Sequence, residues 1–109
     1  MNVTHDYLSI VAYLRLRNGK AVRAIRILKA LLVLEPENGW ARRALAYAYL
    51  SDGQYEQCLA EIDHRLWPAS AVHHAHVIRT RSLWGLGRHD EARQVVRQMN
   101  GNLRGEHGN

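Results

Sequence analysis

The sequence predicts an all-α fold, three tandem helix–turn–helix repeats stacked into a short right-handed solenoid. One spacing carries most of that reading. Gly19, Gly53 and Gly87 stand 34 residues apart, twice over. The same interval joins Ala24, Cys58 and Ala92, then Leu28, Ile62 and Val96, then Leu16, Leu50 and Trp84. Four columns in one register rarely arise by chance. Composition agrees: with 8 Gly, 2 Pro and no Phe in 109 residues, turn formers are too scarce for a loop-rich or many-stranded chain. The three spaced glycines and both prolines, Pro36 and Pro68, also fall where helices of such repeats should stop.

Six helices are predicted, over about 6–17, 20–34, 40–51, 54–66, 71–85 and 88–100. They pair into repeats of about 5–38, 39–70 and 71–100, within one domain over 1–100. The first helix has the small Ala12 and stops at Asn18-Gly19, because glycine enters the left-handed region without a Cβ penalty. The second has Ala24 for close approach and Leu28 and Leu31 as filling, and Pro36 ends it. Asn38 is the expected N-cap of the third, which carries Ala46 and stops at Asp52-Gly53. The fourth has Cys58 at its small position and Ile62 as filling, and Pro68 ends it. Ser70 is the expected N-cap of the fifth, and Ala92 is the small residue of the sixth. The polar, Gly-rich stretch 101–109 is expected to be a frayed tail. With no polar capping helix after the last repeat, an apolar end face is expected to stay open.

Composition also bounds function. Net charge is +5 with a pI near 9.9, which favours acidic partners without selecting one. Cys58 is the single cysteine, so neither an intrachain disulfide nor a cysteine-based zinc site can form within this chain. The start Met1-Asn2-Val3-Thr4-His5-Asp6 is unlike a secretory signal, and the longest hydrophobic run, Ala30 to Leu34, is five residues. A membrane span needs about 20. A cytosolic protein without membrane insertion is expected.

Leu45-Ala46-Tyr47-Ala48-Tyr49-Leu50-Ser51-Asp52-Gly53-Gln54-Tyr55 resembles the core of the tetratricopeptide repeat, whose period is 34 residues. Leu34-Glu35-Pro36-Glu37-Asn38 resembles its closing signature, and Leu83-Trp84-Gly85-Leu86-Gly87 continues the pattern in the third unit. Departures are Arg15 at a usual aromatic, Arg65 and Thr80 at usual small residues, and an early Pro68. The resemblance implies a concave surface lined by the first helix of each pair. Its positions there are Asp6, Ser9, Tyr13, Leu16 and Arg17, then Trp40, Arg43, Tyr47, Leu50 and Ser51, then His74, Val77, Arg81, Trp84 and Gly85. The expected partner-binding residues are Tyr13, Leu16, Arg17, Trp40, Arg43, Tyr47, Leu50, Val77, Arg81 and Trp84. Aromatic residues and arginine dominate interface energetics. Leu16, Leu50 and Trp84 lie at the groove floor, where packing into the core is the competing role. A clamp for a C-terminal carboxylate, as in co-chaperones, needs Lys and Asn where this chain has Ser9 and Tyr13. A hydrophobic helix or extended peptide suits the groove better.

No catalysis, cofactor or metal is expected. His73 and His76 share a helical face but lack a third ligand nearby, and Cys58 fills a packing column where it should be inert. Arg23, Arg26 and Lys29 form a basic stripe on the second helix, read as a solvated face rather than a nucleic-acid site.

Among repeat proteins of this size, the chain is similar to small bacterial type III secretion chaperones of the SctY (YscY) type. The "Met-Asn-x-Thr" start, the turn from Leu16 to Ala24 and the close at Leu34 to Glu37 carry that likeness. It implies a cytoplasmic chaperone bound one-to-one to a hydrophobic SctX-like secretion substrate, with contact to the cytosolic domain of the export gate. A generic interaction adaptor, or a chaperone of a needle subunit or translocator, is the alternative.

Overall fold

The computed structural model describes residue 12 and residues 15–65, 67 and 69–107, with side chains as far as Gly101. Helical residues 15–17 lead into α1 (Ala21–Leu34), followed by α2 (Gly39–Ser51), α3 (Tyr55–Ile62), a 3-10 turn at Ala69–Ala71, α4 (Val72–Gly85) and α5 (His89–His107). No strand occurs among the described residues. Each helix packs on the next, and α2 also meets α4, the arrangement of a short solenoid of helical hairpins.

One turn is built three times. Gly19, Gly53 and Gly87 have φ of +72°, +76° and +78°. In each, the glycine N–H donates three residues back, to the carbonyls of Leu16, Leu50 and Trp84 at 3.2, 3.1 and 3.0 Å. The following N–H donates five back, from Lys20 to Arg15, Gln54 to Tyr49 and Arg88 to Leu83, at 2.8, 2.9 and 2.9 Å. This pair of bonds is the Schellman closure, which satisfies carbonyls a helix end leaves open. The same Lys20, Gln54 and Arg88 then start the next helix, their carbonyls accepting from Ala24, Cys58 and Ala92 at 3.1, 3.0 and 3.1 Å. The turn therefore fixes the phase of the second helix and delivers a small residue to the hairpin seam. Ala24, Cys58 and Ala92 are all buried there.

Around that seam one core runs through α1 to α4, with Leu28 and Leu31 fully buried beside Leu45, Ala46, Tyr49, Ile62 and Ile78. A smaller cluster of Leu83, Ala92 and Val95 joins α4 to α5, covered by Leu59 and Met99. Glu35, before Pro36, has φ −135° and ψ 78°, outside the helical region that a proline disfavours for its predecessor. Asn38 caps α2 as expected, its Oδ1 accepting from Ala41 N–H at 3.0 Å.

Several expectations change. The fourth predicted helix, α3, ends at Ile62 rather than 66. Beyond it, His64 N–H bonds Glu61 O at 3.2 Å and Trp67 N–H bonds His64 O at 3.0 Å, so turns take up the backbone groups. Arg65 consequently leaves the helical packing column and pairs with Glu37 at 2.6 Å. Leu66 and Pro68 lie outside the described residues. Ser70 is not the N-cap of α4: the 3-10 turn shifts the helix entry to Ala71, which has no side-chain cap. The tail expected from residue 101 is helical to His107. A glycine costs a helix only about 1 kcal/mol, too little at Gly101 to stop one already several turns long. In the filling column, Leu28 and Ile62 are buried but Val96 is 41% exposed, with no further hairpin packed on α5 among the described residues.

Replacing Gly53 by alanine tests the repeated turn. A Cβ there meets open space, so its cost is conformational alone, about 1–2 kcal/mol. Urea unfolding followed by helical circular dichroism should show that loss, and a smaller one for Gly53→Asn.

Candidate protein-binding groove

The face of α2 that carries Trp40, Arg43, Ala44 and Tyr47 follows the i, i+3, i+4, i+7 pattern of one helical stripe. These four residues line a groove of about 440 Å³ together with Leu16, Arg17 and His74. It thus draws on three successive inner segments: the helix end before α1, the length of α2 and the first turn of α4. Trp40 is 38% and Tyr47 48% exposed, so two aromatic rings remain open to solvent. Large apolar side chains left out in a row of this kind mark contact surfaces.

Five of the residues expected at the partner surface, Leu16, Arg17, Trp40, Arg43 and Tyr47, meet in this groove. Leu50 is half-buried and packs against the core, and Leu16 also contacts it. Val77 and Arg81 are exposed farther along α4, on the stripe that begins with His74. Trp84 departs from the groove. Its ring stacks on His89 with centroids 4.1 Å apart, and Arg93 lies 5.9 Å from its centre. That draws it into a separate recess of about 280 Å³ with Thr80, Ala92, Val96 and Arg97, between α4 and α5 in the last described hairpin. Gly85 is tied to the packing, since a Cβ there would overlap the Tyr55 ring. Tyr13, Asp6 and Ser9 lie outside the described residues. Ala44 was not among the expected site residues, although its place one turn from Trp40 and Tyr47 signals it.

Ion pairs secure the layers behind the groove. Arg42 on α2 reaches Glu61 on α3 at 3.0 Å, both largely shielded, and Arg79 on α4 reaches Asp63 at 2.8 Å. The Arg65 guanidinium holds the exposed Glu37 carboxyl below its usual range, and Arg88 does the same for Glu91. Such exposed pairs contribute little stability.

Nothing in these surroundings activates a nucleophile. Cys58 is fully buried beside the Ser82 hydroxyl, and burial pushes its thiol pKa up. His73 is exposed and His76 half-buried, and no group of three potential metal-ligating side chains occurs among the described residues. Arg23, Arg26 and Lys29 are exposed along α1, Lys29 lying 5.9 Å from the centre of the Tyr49 ring. No helix among the described residues is long and apolar enough to cross a membrane.

A raised thiol pKa has a definite sign. The folded chain keeps the Cys58 proton at pH values where the unfolded chain releases it, so the contribution is complete below the ordinary thiol range and fades as pH rises through it. The stability advantage of wild type over Cys58→Ala should therefore shrink at alkaline pH. Modification by a thiol-disulfide reagent at neutral pH should proceed no faster than unfolding.

Residues 15–66 and residues 73–98 each match a family model described as Tetratricopeptide repeat. No curated protein matches the chain. The two matched stretches take in α1 to α3 and nearly all of α4 with the first half of α5, and domains of this kind bind protein partners. With its thrice-built glycine turn, its seam of small residues and its open aromatic groove, the chain is a tetratricopeptide-repeat protein.

Proposed function

We propose that this repeat protein is a chaperone of the SctY type, which shields a hydrophobic SctX-like secretion substrate in its groove, one-to-one, and helps deliver it to the export gate. The observation that carries the reading is the joining of Trp40, Tyr47 and Arg43 in one groove with Leu16 and Ala44. An amphipathic segment laid there covers the aromatic rings and hides its own apolar face from water. A stable complex buries about 800 Å² per partner, so the substrate must extend past the groove along the exposed face of α4, over Val77 and Arg81. The likeness of the sequence to small secretion chaperones supports the identity of the client, and the interaction role rests on the repeat fold.

Two measurements test the reading. Trp40→Ala should weaken client binding by more than about 1 kcal/mol, the scale of an interface anchor, while helicity and unfolding midpoint stay close to wild type. Unchanged affinity in a folded variant removes the groove from the binding site. Expression of the SctX-like client with and without this chain separates chaperone from adaptor. A chaperone's client aggregates or is degraded alone, whereas an adaptor's partner stays soluble.

A further inference from the structure

Among the described residues, the groove has one sign of charge. The inner helices α2 and α4, GWARRALAYAYLS and VHHAHVIRTRSLWG, contain neither aspartate nor glutamate. They carry Arg42, Arg43, Arg79, Arg81 and three histidines. The described carboxylates sit instead on the turns and outer helices, where local cations occupy five of them: Glu61 with Arg42, Asp63 with Arg79, Glu37 with Arg65, Glu91 with Arg88 and Asp90 with Arg93. Arg42 and Arg79 are thereby turned to the outer layer. Arg43 and Arg81 have no hydrogen-bond or ion-pair partner among the described residues. Arg43 is half-buried in the groove with Trp40 and Tyr47, and Arg81 stands two helical turns beyond His74, about 10 Å along α4.

We propose that the segment seated in this groove is an acidic amphipathic one from a protein partner, with apolar side chains against Trp40 and Tyr47 and carboxylates against Arg43 and Arg81. The proposal rests on the groove being the binding site. A guanidinium beside aromatic walls is weakly hydrated and takes a carboxylate in a two-pronged bond, and partial shielding from water strengthens that bond. The cations run from Arg43 in the groove to Arg81 on the adjoining face of α4 rather than gathering at one point, so they match side-chain carboxylates repeated along a segment better than a single chain terminus. The apolar floor of Leu16 and Ala44 favours a polypeptide over a nucleic acid, whose phosphates gain nothing from it.

The probe is an end-capped amphipathic peptide of about 18 residues, five helical turns, with Leu and Phe along one face and Glu flanking them. Its control replaces every Glu by Gln. Fluorescence anisotropy should show the Glu peptide binding about tenfold tighter at low salt, with the gap closing near 0.5 M salt as screening sets in. Arg43→Gln and Arg81→Gln should each narrow the gap and leave binding of the Gln peptide unchanged. Equal binding of both peptides at low salt overturns the charge proposal and leaves the groove standing. Binding of neither overturns both. Displacement of the Glu peptide by a single-stranded oligothymidine at comparable concentration also overturns it, since the site then accepts any polyanion. The comparison of the two peptides uses the wild-type chain, so it holds even if a variant fails to fold.

Discussion

The positive φ at Gly19, Gly53 and Gly87 is the constraint on which the rest of the molecule depends. A left-handed residue reverses the chain within two positions and hands the next helix its starting carbonyl. Helical phase is unforgiving, since one residue turns the helix by about 100°. Only in this phase do Ala24, Cys58 and Ala92 enter the seam, where nothing larger lets the two helices approach. Once the hairpins are closed in register, their inner segments come to lie in sequence, and the residues of 15–17, α2 and α4 share a surface. The groove follows from the turn.

The distribution of charge follows the same layering. Arginines that face the outer layer meet carboxylates there, most clearly Arg42 with Glu61 between α2 and α3. Removing Glu61 would strand a shielded guanidinium, the costly way to break such a pair. Among the described residues, the inner surface has no such compensation at Arg43 and Arg81, and its aromatic rings are left partly in water. A surface both apolar and cationic is poorly satisfied by solvent alone, which is the physical basis for reading it as a contact face.

Much of the fold was legible because its determinants are local and repeated. The 34-residue columns located the glycine turns, the small seam residues and the filling residues Leu28 and Ile62 without reference to tertiary contacts. The region from Asp63 to Ala71 was harder. Its path is set by turn hydrogen bonds and by the Trp67 indole, which donates to Ala71 O at 3.1 Å, and no periodic pattern encodes these. The end of α5 was missed for the opposite reason: polar, glycine-containing sequence looks frayed, yet the helix runs on to His107. In the groove, position within the repeat puts Trp40, Arg43 and Tyr47 on one face, and these three line a common recess. For Trp84, repeat position left groove floor and core packing open, and neither reading signals its stack with His89 across the turn.

The three tryptophans offer the most direct test of the central claim, that the groove of α2 is where another polypeptide sits. Trp40 lies in that groove, Trp67 is bonded within the chain, and Trp84 lies in the end recess. In a nitrogen–proton spectrum of the labelled protein, titration with the acidic amphipathic peptide should shift or broaden the Trp40 indole signal most strongly and leave that of Trp84 in place. A stationary Trp40 signal with movement confined to Trp84 would put the contact at the recess between α4 and α5 and contradict the account.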